Sequence, residues 1–298
     1  MIRPFKYLTQ LTLGACLAFG GPAMAASDSW SAVEAAAKRE GKVVLYTSAV
    51  GATPHRKIAE LFEARYGIPV EVLEARGSEL RERIRAEQAA GRAIGDVQHN
   101  GTTSVELMRR DGNLQPHGGL PNTERLVAPF DAGAERVASN AQCYGILVNR
   151  RLVGADTEFR SWKDLTDPRW KGKIISDDMR ALGGGSVFFF VMQDEFGQEF
   201  HEAMARQELV FSRQIRNDER RVARGEYAIY IPELMPFYTE LKGLPVEFIV
   251  PEEGCPYVGF DISMLKDAPH PNAARLLMNF FLEPEAQLEF AKAGFNPV

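Results

Sequence analysis

The sequence contains little cysteine and little histidine, and it lacks the spacings that these residues adopt in common metal sites. Its 298 residues include three cysteines and five histidines, with no CxxC, HExxH or HxH pattern. Zinc sites in proteins draw on such closely spaced ligands. We therefore expect no metal site and no cofactor. The histidines are scattered singly, at His55, His99, His117, His201 and His270.

Positive charge is too sparse for a nucleic-acid-binding protein. The chain has 35 Lys and Arg against 40 Asp and Glu, a net charge of −5. Nucleic-acid binding needs a basic face or stripe, whereas here both signs are interspersed and no block of like charge forms a tail. We therefore expect no nucleic-acid partner. The length suits two globular domains.

Long hydrophobic runs are also missing, and the N-terminal apolar segment has the three-part pattern of a secretory signal peptide. Arg3 and Lys6 precede that segment, and the tripeptide AMA at 23–25 ends it. The segment is too short, and too interrupted by Gly and Thr, to span a membrane. Residues 1–25 are therefore predicted to be a signal peptide, and the mature chain is predicted to begin at Ala26 outside the cytoplasm.

The three cysteines have different predicted fates. Residues 13–16, LGAC, resemble a lipoprotein cleavage box, which would leave a lipid-anchored Cys16. The apolar residues beyond Cys16 favour an ordinary signal core instead. Cys143 and Cys255 remain in the mature chain, far apart in sequence. Export permits a disulfide between them, but the pattern favours two separate buried thiols.

Strands and helices alternate along the first part of the mature chain. KVVLYTSA (42–49) is rich in Val, Leu and Tyr, as strands are, and TPHRKIAELFEARYG (53–67) has apolar residues at helical spacing. This alternation predicts an α/β fold with a largely parallel sheet, in which ligands bind beyond the carboxyl ends of the strands. Ser48, His99 and Thr102 follow or end such strands and are candidate ligand-binding residues. The predicted strands lie in VVLYTSA (43–49), IPVEVLEA (68–75) and GDVQHNG (95–101).

The segment GGGSVFFF in the second half of the chain has the features of an anion-binding loop. Glycines permit close backbone approach, and a helix that starts near Val187 would present its positive end there. Gly184, Gly185 and Ser186 are therefore predicted to hold an anion, with Arg180 supplying a formal charge. An ordinary loop leading into a buried helix is the alternative.

Five further segments, taken in order, carry a resemblance to a known family. They are VVLYTSA (43–49), DPRWKGKI (167–174), RVARGEYAIYI (221–231), PVEFIVPEEG (245–254) and the final stretch 270–298. Together they resemble the periplasmic solute-binding proteins of ABC importers, in extracellular solute-binding family 1, and most closely its ferric-ion-binding branch. The resemblance implies a monomer without catalytic activity, which binds a small-molecule solute and delivers it to an ABC permease in the inner membrane.

The resemblance also implies a type II periplasmic binding fold, with two α/β lobes joined by two crossing strands. Residues 26–137 and 250–270 would form lobe 1, and residues 138–249 would form lobe 2. The lobe to which the C-terminal helices in 271–298 belong is left open. The solute would lie between the lobes, in the periplasm.

The motif that binds ferric ion in that branch is missing. The positions of its adjacent tyrosines fall at about Met235 and Pro236, neither of which offers an anionic oxygen. Tyr230 lies nearby and is a candidate cleft residue, and Glu233 could hold a cationic group of the solute. The expected solute is therefore a small anionic or zwitterionic organic molecule, with ferric ion as the alternative.

A secreted hydrolase is a less favoured alternative. GGGSV approaches a nucleophile elbow, but Phe188 stands where the final glycine of that motif belongs. Asp177 and Asp178 alternate sides of a strand, so they do not form an acid–base pair by themselves. We therefore expect a binding protein and not an enzyme.

Overall fold

The computed structural model describes residues 29–49, 53–154, 157–181 and 183–298. The predicted signal peptide and Cys16 lie outside these ranges. The described strands are β1 (Val43–Thr47), β2 (Val70–Glu74), β3 (Val97–Gly101), β4 (Val137–Asn149), β5 (Ile174–Asp177), β6 (Val210–Ser212), β7 (Ile229–Leu234), β8 (Val246–Ile249) and β9 (Tyr257–Met264).

Helices follow most of these strands, as the alternating pattern predicts. Helix α6 is interrupted at Gly197, whose backbone is not helical. The described α-helices are α1 (Trp30–Glu40), α2 (Thr53–Tyr66), α3 (Gly77–Ala89), α4 (Thr102–Arg110), α5 (Arg150–Val153), α6 (Gly184–Ala205), α7 (Ile215–Arg224), α8 (Met235–Tyr238), α9 (Pro271–Phe281) and α10 (Pro284–Lys292). Short 3-10 helices lie at Pro121–Arg125, Trp162–Thr166, Pro168–Trp170 and Thr239–Leu241.

Lobe 1 is built on the sheet order β2-β1-β3-β9. Strand β1 pairs in parallel with both β2 and β3, and β9 runs antiparallel to β3. Every residue of β1 is buried, as is usual for a parallel strand covered on both faces by helices. The C-terminal helices α9 and α10, which the sequence did not assign to a lobe, contribute Phe280, Phe281 and Phe290 to this core.

Lobe 2 is built around β5, which runs parallel to its neighbours β6 and β7. The second part of β4 runs antiparallel to β7 and β8. One face of the sheet packs on α6 through an apolar cluster that includes Trp162, Phe188 and Ile229. The other face packs on α7 through Leu147, Val222 and neighbouring residues. The mixed α/β architecture that the sequence predicts is confirmed.

The lobes are joined by β4 and by the return segment 250–256. Strand β4 pairs with β9 as far as Cys143 and with β7 from Tyr144 onward. The predicted lobe boundary at 137–138 falls at the beginning of β4, ahead of this change of partner. The other predicted boundary, at 249–250, falls where β8 ends.

A disulfide between Cys143 and Cys255 ties the two crossing segments together, with a Cα–Cα distance of 5.7 Å. The preference for two separate thiols was therefore wrong. The physical reason is the register of the sheet, in which Cys143 lies opposite Tyr257 and so close to Cys255. Such a pairing between distant strands cannot be read from local sequence. In the described ranges, no helix combines the length and the apolar character that a membrane span requires.

Candidate functional site

A cleft of about 560 Å³ lies between the two lobes. Lobe 1 forms one wall of the cleft and lobe 2 forms the other, and Gln142 comes from the crossing strand β4. The described residues that line the cleft are Ser48, Ala49, Pro54, Arg76, Gln142, Arg216, Pro236, Phe237, Thr239, Glu240, Phe260, Lys292, Ala293 and Phe295.

The ends of several strands place these residues. Ser48 follows β1, and Arg76 lies between β2 and α3. On the facing lobe, Phe237 lies on α8, immediately after β7, and Arg216 lies in the first turn of α7. The cleft therefore lies at the carboxyl ends of β1, β2 and β7, which is where α/β sheets bind ligands.

The charged residues of the cleft are mainly cationic. Arg76, Arg216 and Lys292 line it, with Glu240 as the one carboxylate among its described residues, a difference of two positive charges. Arg216 pairs with Glu240 at 2.8 Å, and Lys292 pairs with Glu289 at 2.7 Å. Arg76 makes no ion pair with any described residue. The cleft is thus suited to an anion, because an unpaired guanidinium offers several donors to one.

Arg216 is held in place on the wall of lobe 2. Its guanidinium carbon lies 3.6 Å from the centre of the Phe237 ring, a cation–π contact. Its Nη1 lies 4.0 Å from the carboxylate of the buried Glu219. These contacts limit the freedom of the side chain, so less entropy is lost when it binds a ligand.

Among the predicted site residues, Ser48 lines the cleft and His99 lies behind its wall. The His99 ring stacks against the cleft residue Phe260 with 5.4 Å between ring centres. His99 is fully buried, with Nδ1 3.0 Å from His55 Nε2 and Nε2 2.9 Å from Asn140 Oδ1. Burial lowers the pKa of His99 to about 4, so the ring is neutral at pH 7.

Thr102 lies at the start of α4, away from the main cleft. It lines a separate shallow surface depression with Glu106, Leu107 and Arg110. Burial raises the pKa of the Asp261 carboxyl, against smaller opposing effects of Arg136 and of the Thr102 side chain. Thr102 and Ser48 therefore line different depressions, and a solute contact of Thr102 stays a prediction.

The glycine-rich segment begins a helix earlier than predicted, at Gly184 instead of near Val187. The Gly185 N–H donates to Asp177 Oδ2 at 2.7 Å, so a carboxylate of the chain itself lies at the positive end of α6. A Cβ atom on Gly185 would lie 2.7 Å from the Asp177 carbonyl oxygen. Close backbone approach is thus required for packing. That these residues hold a solute stays a prediction.

The other polar residues of this segment also bind within the chain. The Ser186 hydroxyl donates to the Gly183 carbonyl at 2.9 Å. Arg180 pairs with Asp178 at 2.8 Å, and its side chain is 80% exposed. Asp178 also accepts from Arg213 at 3.0 Å, and these hydrogen bonds hold the pKa of Asp178 well below its usual range. Arg180 and Ser186 are not part of the cleft lining.

Tyr230 and Glu233 are buried in lobe 2 on β7. Neither the Tyr230 hydroxyl nor either Glu233 carboxylate oxygen has a hydrogen-bond partner in the described part of the chain. Burial raises the pKa of both groups well above their ordinary values. Both side chains are inaccessible from the cleft, so they do not line it.

The principal charged residues of the cleft were not among the site residues predicted from the sequence. Arg76 follows β2, so the same rule that selected Ser48 after β1 would have found it. Arg216 lies in the strongly charged sequence IRNDERRVAR, which also fits a solvated helix face. Lys292 lies near the C-terminus, whose place in the fold was not predictable. These two residues reach the cleft only through tertiary packing.

The cleft has few ligands for a metal ion. Among the described residues that line it there is no tyrosine, histidine or aspartate. Pro236, which the resemblance aligned approximately with a tyrosine of the ferric-ion-binding branch, lies on its wall. The described residues also contain no group of three or more His, Cys, Asp or Glu side chains arranged to hold a metal.

Two α/β lobes, two crossing segments and a cleft between them define the type II periplasmic binding fold. Residues 121–298, more than half of the chain, match the family of bacterial extracellular solute-binding proteins, and the chain belongs to this family. The resemblance drawn from the sequence is therefore confirmed. An uncharacterised protein of Haemophilus influenzae is 24% identical over 269 residues, covering 86% of this chain and 77% of that protein.

Solved structures share the fold at low sequence identity. Iron-bound HitA from Pseudomonas aeruginosa has a TM-score of 0.70 at 20% identity, covering 86% of each chain. The ferric iron-binding protein A of Mannheimia haemolytica, in an open conformation, has a TM-score of 0.73 at 17% identity, covering 86% of this chain and 85% of that one. AfuA from Actinobacillus pleuropneumoniae, with fructose 6-phosphate, has a TM-score of 0.65 at 23% identity, with the same coverage.

Proposed function

We propose that this solute-binding protein captures a small organic anion between its lobes and delivers it to the permease of an ABC importer. The observation that carries the proposal is the charge of the cleft. Arg76 makes no ion pair with a described residue, and Arg216 and Lys292 add further positive charge. Unpaired positive charge in a cleft attracts anions and forms strong charge-assisted hydrogen bonds with them.

The rest of the cleft favours an organic molecule over a bare ion. Phe237, Phe260 and Phe295 offer apolar surface, and Gln142 and Thr239 offer hydrogen-bonding groups for hydroxyls. A volume of about 560 Å³ also lies within the range of small-molecule pockets. A phosphorylated sugar combines these features, and the AfuA structure with fructose 6-phosphate supports such compounds as first probes.

The alternatives have less support. Ferric ion needs hard anionic ligands, and Glu240, the one carboxylate among the described cleft residues, is already paired with Arg216. The same pairing makes a solute with a free amine less suitable than a purely anionic one. For a hydrolase, Ser186 would be the nucleophile, but its hydroxyl donates to its own loop at Gly183.

Arg76 and Arg216 belong to different lobes, so the binding of one anion to both can close the lobes. An anion that contacts both would draw the lobes together by rotation about β4 and the segment 250–256. In this proposal the closed form is what the permease recognises. Export of the chain to the periplasm is part of the proposal and depends on the signal peptide predicted at residues 1–25.

Calorimetry with fructose 6-phosphate and other organic phosphates and carboxylates tests the proposal. Replacing Arg76 by Gln should weaken binding about ten- to a hundredfold, because losing one charge-assisted hydrogen bond costs about 1.5–3 kcal/mol. Arg85→Gln is the matched control, since Arg85 is exposed on α3 and does not line the cleft. A tightly bound anion whose affinity is the same in both variants would contradict the proposal.

A further inference from the structure

Two buried glutamates lie behind the lobe 2 side of the cleft. Glu219 on α7 is 1% exposed and Glu233 on β7 is 0% exposed. Both oxygens of Glu233 and Oε1 of Glu219 lack a hydrogen-bond partner in the described chain. The nearby Tyr230 hydroxyl is buried and lacks one too. An ionised carboxylate is costly in such a place, so a proton is the ligand that these oxygens favour.

Charged groups of both signs surround this pair, three acidic and three basic among those that act on it. From α7, Arg216 lies 4.0 Å from Glu219, and Arg220 and Asp218 also act on it. From the 3-10 helix Thr239–Leu241, Glu240 adds negative charge. Asp218 is itself paired with Arg221 at 3.2 Å, and Asp177 acts on Tyr230 from β5. Arg216 is the one cation within ion-pair distance of Glu219 among the described residues.

Burial is the main cause of the altered titration of both glutamates. It raises the pKa of Glu219 to about 7, against a smaller opposing effect of Arg216. It also raises the pKa of Glu233 well above its ordinary value, and the negative charge of Glu219 adds to this. Both shifts favour a proton shared by the pair near neutral pH.

Arg216 connects this pair to the cleft. The same guanidinium that limits the pKa of Glu219 also lines the solute site, where it lies over Phe237. An anion bound at Arg216 would compensate its positive charge and add a negative charge near Glu219. Both effects stabilise the protonated form of Glu219.

We infer that Glu219 and Glu233 form a proton-binding site that is coupled through Arg216 to the solute cleft, so that binding an anion takes up a proton. This inference rests on the proposed function for the charge of the solute. Because coupling between two binding events is reciprocal, a fall in pH through the neutral range should tighten anion binding.

The proton site can be tested without any solute, by infrared spectroscopy of the protonated carboxyl stretch in D₂O at neutral pH. Wild type should show this band, and Glu233→Gln and Glu219→Gln should each reduce it. Glu252→Gln, at an exposed glutamate, is the control and should leave it unchanged. Absence of the band in wild type, or a band that neither variant reduces, would overturn the inference.

The coupling can also be tested without solute. Replacing Arg216 by Gln should raise the pH midpoint of the Glu219 band by about one unit, because an opposite charge at this distance is lost. Arg213→Gln is the matched control, since Arg213 pairs with Asp178 instead. A midpoint that is the same in both arginine variants would overturn the coupling.

Calorimetry with inorganic sulfate then measures the number of protons that the protein takes up when an anion binds. Sulfate is suitable because it carries no proton of its own near pH 7. In two buffers of different ionisation enthalpy at pH 7, binding should take up a fraction of one proton per sulfate, and less in Glu219→Gln. Sulfate that binds without proton uptake would overturn the linkage. Failure of sulfate to bind would count against the anionic cleft itself, whereas the infrared band decides the proton site separately.

Discussion

Removing the disulfide between Cys143 and Cys255 should destabilise the protein substantially. The two cysteines are 112 residues apart, and the loop that they close contains the whole of lobe 2 between its two crossing segments. In the chain-entropy description, a loop of this length stabilises the folded state by about 5 kcal/mol, and measured losses for native disulfides are about 2–5 kcal/mol. We therefore expect Cys143→Ser/Cys255→Ser to lose at least about 2 kcal/mol.

Urea unfolding followed by circular dichroism measures this loss. With a slope of about 2–3 kcal/mol per molar urea, the midpoint should fall by about 0.7 M or more. Wild type unfolded in the presence of a reductant is the control, and its midpoint should match that of the double variant. If the double variant and oxidised wild type unfold within about 0.2 M of each other, the reasoning from loop closure is wrong.

Two further predictions concern the cores of the lobes. Burial lowers the pKa of His55 and of His99, the latter to about 4, so the unfolded chain binds protons that the folded chain does not. The stabilisation from the two neutral histidines should be complete above about pH 6.5 and should be lost as the pH falls toward 4. Urea unfolding at several pH values measures this. A His55→Gln/His99→Gln variant with the same pH dependence of unfolding as wild type would contradict it. Gly145→Ala should lower the free energy of unfolding by about 1–3 kcal/mol, because the new Cβ would lie 2.5 Å from the Ile249 carbonyl oxygen. Gly133→Ala is the control in the same urea assay. It should change the free energy of unfolding little, because the nearest atom to its Cβ would be 3.8 Å away.

The fold could be predicted from the sequence because its signals are local. Apolar spacing indicated helices and β-forming residues indicated strands in the first part of the chain, and their alternation indicated the parallel part of the sheet. The disulfide could not be predicted in this way. It depends on the register of β4 against β9, two strands that are far apart in the chain.

The candidate site was less predictable, because burial is a property of the packed molecule. His99 ends a strand and was expected at the ligand site, but α2 and α10 cover it, and its ring lies among His55, Phe281 and Phe290. In the opposite sense, Arg216 lies on a helix that fits a solvated surface and yet lines the cleft. Whether such a residue is buried or lines the cleft is decided by the packing of helices and strands that are distant in sequence.

The glycine-rich segment shows how one pattern can serve two purposes. The predicted glycines and the predicted helix start are both present, but Asp177 provides the carboxylate that receives the Gly185 N–H. Sequence alone cannot distinguish a cradle for a solute from one that the chain fills itself. The same backbone conformation is needed in both cases.

Native mass spectrometry of the protein isolated from its native host tests the central claim most directly. We predict that the wild-type protein carries a bound organic anion, such as a phosphorylated sugar, and that Arg76→Gln loses most of this complex whereas Arg85→Gln retains it. Denaturing the sample should release the compound for identification. Recovery of ferric ion, or of an uncharged or cationic solute that Arg76→Gln retains in full, would contradict the account.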